Sequence, residues 1–175
     1  KSTLVNQLVG AKVTIVSRKV QTTRFPVRGI LMEGRSQLVF LDTPGIFRPR
    51  RRLDRAMVDA AWVTALDADV VVLLVDAARG LDEDVERILA RLAEARGLKV
   101  LALNKVDRLE RKGELLALAH DLTARLAFDR VFMISALTGS GLADLKSYLA
   151  ASVPEGPWHY PPDEISDLSE RRLAA

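Results

Sequence analysis

Apolar residues gather in short runs that end, one after another, on a single polar residue. Gln37-Leu38-Val39-Phe40-Leu41 leads into Asp42, Val100-Leu101-Ala102-Leu103 into Asn104, and Val131-Phe132-Met133-Ile134 into Ser135. Runs of this length read as strands. Val70 to Val75 is apolar and valine-rich with no alternation, the pattern of a strand covered on both sides. Val27 to Met32 and Gln37 to Leu41 are separated by Glu33-Gly34-Arg35-Ser36, which predicts an antiparallel hairpin.

Between these runs the period lengthens to that of a helix. Ser2 to Val9 predicts a short helix closed by Gly10. Arg52 to Leu66 places Leu53, Met57, Ala60 and Ala61 on one helix face, with Thr64 interrupting the stripe. Asp82 caps a helix that presents Val85, Ile88, Leu89 and Leu92. Leu115, Leu118, Leu122 and Leu126 mark another, and Leu142, Leu145 and Leu149 the next. Strands alternating with helices predict an α/β domain: a mostly parallel sheet, one antiparallel hairpin at its edge, and helices on both faces. Ligands of such sheets bind beyond the carboxyl ends of the strands, where Asp42, Asn104 and Ser135 all fall.

After Val153 the character shifts. Pro154, Pro157, Pro161 and Pro162 interleave with Trp158, His159 and Tyr160, which reads as a stiff linker. The expected division is a domain over 1–153, then a linker and the start of a further domain over 154–175. Asp167 with Glu170 resembles a capping box that opens a helix. The chain starts at Lys1 within what reads as a phosphate loop and stops within that helix, so a longer protein is expected.

Composition narrows the function classes. The chain has 175 residues, 49% of them hydrophobic, enough for one well-cored domain. It has no cysteine, which removes disulfides and thiolate metal sites and fits a reducing, cytoplasmic setting. The apolar run from Val70 to Val75 is far shorter than a membrane span. A net charge of +3 is compatible with a polyanionic partner without requiring one, and 5% aromatics offer little platform for stacking bases.

Five stretches carry candidate chemistry. Lys1-Ser2-Thr3 matches the last part of G-x-x-x-x-G-K-[ST]; with glycines upstream, Lys1 would reach the β- and γ-phosphates and Ser2 would bind Mg²⁺, whereas alone it is simply a helix start. In Asp42-Thr43-Pro44-Gly45 the carboxylate suits a metal's water shell and the Gly45 N–H a terminal phosphate, while a plain strand-to-loop turn explains the residues equally well. Asn104-Lys105-Val106-Asp107 is the most specific. The Asp107 carboxylate can accept from the N1–H and exocyclic amine of guanine, Asn104 can bridge base and loops, and the Lys105 stem can cover the ring. An exposed polar turn is the alternative. Ser135-Ala136-Leu137 adds backbone N–H groups for the base oxygen, particularly that of Ala136. Between the first helix and the hairpin, Thr22-Thr23-Arg24 offers Thr23 as a further Mg²⁺ ligand or, equally, a solvated loop. The arginines at 48, 50, 51, 52 and 55 read as a solvated face ahead of a nucleic-acid contact. His120 and His159 have no carboxylate or second histidine at ligand spacing, which leaves them surface or packing roles.

Taken in order, Lys1-Ser2, Thr23, Asp42-Thr43-Pro44-Gly45, Asn104-Lys105-Val106-Asp107 and Ser135-Ala136-Leu137 resemble the five guanine-nucleotide motifs of the translation-factor-class GTPases. Gln21-Thr22-Thr23-Arg24, Arg52-Leu53-Asp54-Arg55-Ala56-Met57 and Asp163-Glu164-Ile165-Ser166-Asp167 are similar to the bacterial Era family in particular, although Val20 stands where proline is more usual. The resemblance implies a Ras-like P-loop NTPase fold and Mg²⁺-dependent hydrolysis of GTP to GDP. Lys1, Thr23 and Gly45 would serve the reaction, Ser2, Thr23 and Asp42 the metal, and Lys1, Ser2, Thr3, Asp42, Gly45, Asn104, Lys105, Asp107, Ser135, Ala136 and Leu137 the nucleotide. It further implies a monomer acting in small ribosomal subunit assembly, a KH-type domain that binds small-subunit rRNA, and a cytoplasmic location with peripheral association at the inner membrane. Ile46 follows Gly45 where many GTPases carry a glutamine; an aliphatic side chain cannot orient water, so that task falls to a monovalent cation such as K⁺ or to a partner. A related RNA-modification or ribosome-assembly GTPase, and a nucleotide-controlled binding module with negligible turnover, are the competing readings.

Overall fold

A computed structural model describes residues 1–13, 27–42, 58–59, 62–63, 65–109 and 111–165. The chain divides into two compact units, residues 1–64 with 146–175, and residues 65–145.

The second unit is built on three parallel strands, β3 (Val70–Asp76), β4 (Leu98–Asn104) and β5 (Arg130–Ile134), in the order β3-β4-β5. Parallel neighbours require crossovers, and helices α2 (Glu83–Leu92) and α3 (Lys112–Arg125) supply them. Asp82 caps α2 as expected, its carboxylate accepting from the N–H groups of Asp84 and Val85. Leu89 and Leu92 of α2, Leu115 and Leu122 of α3, Leu73 and Val75 of β3, and Leu101 and Leu103 of β4 form one core cluster. Both helices thus pack on the sheet face that Leu101 and Leu103 present. The opposite face of β4, Val100 and Ala102, is equally shielded from solvent.

Burial on both sides was expected of Val70 to Val75, but only Leu73 and Val75 are fully buried there. Continuous burial is found instead in β4, from Val100 to Asn104, which is the middle one of the three described strands while β3 is an outer one. Apolar content does not reveal strand order.

The first unit starts with α1 (Ser2–Val9), closed as expected by Gly10 in the left-handed conformation, whose N–H donates to Asn6 O at 2.9 Å. It also holds the hairpin of β1 (Val27–Glu33) and β2 (Ser36–Asp42), paired from Val27↔Asp42 to Glu33↔Ser36. Gly34, the first residue of the two-residue loop, takes φ +59°, as a tight hairpin turn demands. Among the described residues these strands form a separate two-stranded sheet. Asp42 therefore ends a strand of one sheet, whereas Asn104 ends a strand of the other, and the single common edge expected for them is not formed by the described strands.

The hairpin's register decides what each face receives. Gly29 lies opposite Phe40, so Gly29, Leu38, Phe40 and Asp42 share one face. A Cβ at Gly29 would stand 2.9 Å from Val5 Cγ1 and 3.0 Å from Val9 Cγ2, so α1 lies on that face, at a distance only glycine allows. Helix α4 (Leu142–Ser152) reaches the loop end of the same face with its residues of the first unit. There Lys146 pairs with Glu33 at 2.8 Å, and Ser36 Oγ donates to Ala150 O. On the other face Gln37 clasps the proline-rich segment. Its Oε1 accepts from the N–H groups of His159 and Tyr160, and its Nε2 donates to Tyr160 O at 2.8 Å. The expected linker is thus fastened to the hairpin over residues 158–160.

Helical residues at 58–59, 62–63 and 65–66 agree with the helix expected from Arg52 to Leu66. Of its described residues Val58 and Trp62, four apart, are buried; the expected stripe of Leu53, Met57, Ala60 and Ala61 lies outside the described residues. The capping box at Asp167 and Glu170 lies outside the described residues.

Candidate functional site

Two polar clusters gather the expected residues, one in each unit. In the first, Ser2 opens α1 and Asp42 ends β2, 40 residues apart in the chain. Asp42 points toward α1 because it shares the Gly29 face, and Ser2 Oγ donates to Asp42 Oδ2 at 2.6 Å. Both are buried, Asp42 to 2% exposure, and its Oδ1 is sealed from solvent as well. A carboxylate this deep is stable only in a polar or cationic setting. Lys1 supplies charge: the Asp42 carboxylate attracts its ammonium. Lys1 is exposed as a residue, yet desolvation of its ammonium outweighs that attraction and draws its pKa below the ordinary lysine value. The positive end of α1 adds to the field, and no acidic residue in its first turn offsets it.

A hydroxyl and a carboxylate, both oxygen donors, suit Mg²⁺, which is held by one or two protein oxygens and otherwise keeps water and substrate phosphate. Among the described residues no cluster of three or more histidine, aspartate or glutamate side chains forms a cage of the kind a fully protein-bound metal needs. The donor set at Ser2 and Asp42 therefore fits the expected ion.

The second cluster lies past the carboxyl ends of β4 and β5. Asn104 is buried, and its Oδ1 accepts the Ala136 N–H at 2.9 Å across 32 residues. This bond ties the Asn104-Lys105-Val106-Asp107 turn to Ser135-Ala136-Leu137. Ser135 is fully buried, its Oγ accepting from the Thr138 N–H, whereas Leu137 stands 73% exposed. Asp107 is exposed on a short 3-10 turn, Val106–Arg108, where a ligand can reach it. Lys105 adopts φ +67°, and its ammonium is paired with Asp76.

Of the expected site residues, the structure joins Ser2 to Asp42 and Asn104 to Ala136, places Lys1 in the field of Asp42, and leaves Thr3 half-buried in the first turn of α1. Thr22, Thr23, Thr43, Pro44, Gly45, Ile46 and the arginines from 48 to 55 lie outside the described residues. Ala136 was expected to offer its N–H to a base; here that N–H donates to Asn104. Sequence reasoning passed over Asp76. Its signal was present, since Asp76 ends the run from Val70 to Val75 just as Asp42 and Asn104 end theirs.

The family model described as "50S ribosome-binding GTPase" matches residues 1–105. The GTPase Era of Rhizobium meliloti is 61% identical over 175 residues, all of this chain and 56% of that protein. The chain thus spans a little over half the length of the curated relatives it matches. Among solved structures, Era in complex with MgGDPNP and nucleotides 1506-1542 of 16S ribosomal RNA has a TM-score of 0.92 at 34% identity, covering 99% of this chain and 59% of that one. Aquifex aeolicus Era bound to GDP and AlF4⁻ gives 0.91 at 34% identity, covering 99% and 60%.

Proposed function

Because the chain belongs to the family of 50S ribosome-binding GTPases and carries an Era-like G domain of the P-loop GTPase fold, we propose that the protein hydrolyses GTP to GDP and phosphate as a switch in small ribosomal subunit assembly. The observation that carries this reading is the buried Ser2–Asp42 hydrogen bond, which joins the K-S-T helix start to the D-T-P-G strand end. Near it, Lys1 binds the β- and γ-phosphates, Ser2 and Asp42 hold Mg²⁺ with Thr23, and the Gly45 N–H meets the terminal phosphate. When bound, Mg²⁺ neutralises charge that develops on the phosphate oxygens. Asp107 accepts from guanine, Lys105 covers the ring, and Asn104 with Ser135, Ala136 and Leu137 frames the base. An N–H carries one hydrogen, so the Ala136 N–H reaches a base oxygen by sharing it with Asn104 or releasing it.

The remaining parts of the reading rest on the resemblance. Residues 1–153 form the G domain, and 154–175 lead to a KH-type domain that binds rRNA. The solved Era complex with 16S ribosomal RNA supports an rRNA partner. The protein acts as a monomer in the cytoplasm. Its association with the inner membrane, as the resemblance implies, is peripheral. No helix among the described residues is long and apolar enough to cross a membrane. Ile46 beside Gly45 has no group that could orient the attacking water, so K⁺ or a partner would have to supply that orientation.

Single-turnover hydrolysis by the full-length protein tests the proposal, with and without Mg²⁺ and with K⁺ against Na⁺. Mg²⁺-dependent turnover is expected. Tight GTP binding without turnover would instead favour the nucleotide-controlled binding module, and absence of guanine-nucleotide binding would remove the reading altogether. Filter binding to the 3′-terminal region of small-subunit rRNA at two salt concentrations tests the partner.

A further inference from the structure

Lys105 is the one described non-glycine residue with positive φ. Side-chain-bearing residues seldom occupy that region unless their surroundings hold them there. Asp76 is directly beside it. Asp76 ends β3 in register with Asn104, the Ala77 N–H donates to Asn104 O at 2.9 Å, and Asp76 Oδ2 accepts from the Lys105 ammonium. The other Asp76 oxygen, Oδ1, accepts the Ala78 N–H at 3.1 Å, which fixes the carboxylate at the strand end. The Asp76 side chain is 22% exposed and that of Lys105 45%, so the pair is partly screened yet anchored at both ends.

We propose that Asp76 is a positioning residue for guanine-nucleotide binding: it holds the Lys105 ammonium beyond the end of β3, so that the lysine's aliphatic stem is pre-set before a base arrives. This deepens the guanine-site reading above and rests on it. A free lysine stem must give up several rotatable bonds when it covers a ring; one already tethered at its tip has given up most of that freedom. Asp76 itself touches no nucleotide in this account. Its effect passes through Lys105.

The test is a double-mutant cycle on full-length protein, read as the dissociation constant of a fluorescent GDP analogue. Asp76→Asn keeps an oxygen for the Ala78 N–H but loses the charge, and should weaken binding about fivefold, the scale of a partly exposed ion pair. Asp76→Glu should restore affinity to within about twofold of wild type. Lys105→Met keeps the stem without the ammonium; in that background Asp76→Asn should add nothing. An equal loss in both backgrounds would mean that Asp76 acts through the β3 turn, and would overturn the proposal. So would unchanged affinity in Asp76→Asn. If that variant does not fold, Lys105→Met alone decides: affinity equal to wild type would show that the pair positions nothing. Failure of the wild-type protein to bind guanine nucleotide at all would sink the functional reading instead, a distinct result.

Discussion

The two polar clusters are preorganised in different ways. Asn104 and Ser135-Ala136 leave adjacent parallel strands, and Leu101 and Leu103 of β4 are fully buried in a core that α2 and α3 complete. Their relative placement is a property of the sheet. Ser2 and Asp42 meet because one eight-residue helix lies on one two-stranded hairpin, with closest approach at Gly29. A site held by a sheet tolerates local change better than one held by a single helix–hairpin contact. On the proposed reading, base recognition would be vulnerable at the side chains that reach the base, and phosphate and metal binding at Gly29, which reaches neither ligand but lets α1 approach the hairpin.

The largest effect should come from the sheet-held cluster. Asp107→Asn replaces a paired acceptor with an amide, so GTP affinity should fall roughly 30-fold, about 2 kcal/mol, with preference shifting toward xanthine nucleotides. Titration with both nucleotides measures it, and unchanged GTP affinity would remove Asp107 from the base site. Fold stability should stay near wild type there, since Asp107 is exposed. Next, Asn104→Ala strips the buried Ala136 N–H of its acceptor and should destabilise the protein by about 1–3 kcal/mol in urea unfolding, with nucleotide affinity falling alongside.

Gly29→Ala sharpens the contrast from the other side. The added methyl would press on Val5, Val9 and Val13, and overpacking of this kind costs about 1–2 kcal/mol. Its mark should be a loss of Mg²⁺-dependent nucleotide affinity exceeding any change in base preference. Equal effects on both would show that α1 does not separately control Ser2. The smallest effect concerns acid. Burial pushes the Asp76 carboxyl up, but the Lys105 ammonium, the Ala78 N–H and Arg108 together outweigh it and hold the pKa below the ordinary 3.8. A group held low when folded contributes stability that is complete above its unfolded value and lost as pH falls through the folded one. Acid unfolding below about pH 4 should therefore be slightly shallower in Asp76→Asn, by less than about 1 kcal/mol, as a partly exposed pair warrants.

Much of this was readable from residue order, and the exceptions share a cause. Strand and helix positions follow from local periodicity, so β4, β5, the Asp82 cap and the Leu115–Leu122 face were legible. The meeting of Ser2 with Asp42 was legible only through a motif resemblance, because no local pattern brings together residues 40 apart. Strand order was not legible, and that misplaced full burial on β3. Nor was Gln37, the second residue of β2 and an ordinary polar residue there, which engages chain more than 120 residues away. Asp76 lay within reach, since it ends an apolar run like the others, but Ala77-Ala78-Arg79 after it matches no motif.

The fastening of residues 158–165 to the hairpin bears on how the molecule behaves in a crowded solution. A two-stranded ribbon carries unpaired N–H and C=O groups along its outer rims, and such rims recruit strands from other chains. Here the Ile30 N–H is already taken by Ile165 O at 2.9 Å, Trp158 Nε1 reaches Arg35 O, and Gln37 secures the backbone between them. The segment that reads as a passive tether thus serves as a rim guard, and shortening it would leave β1 open to edge-to-edge association between copies.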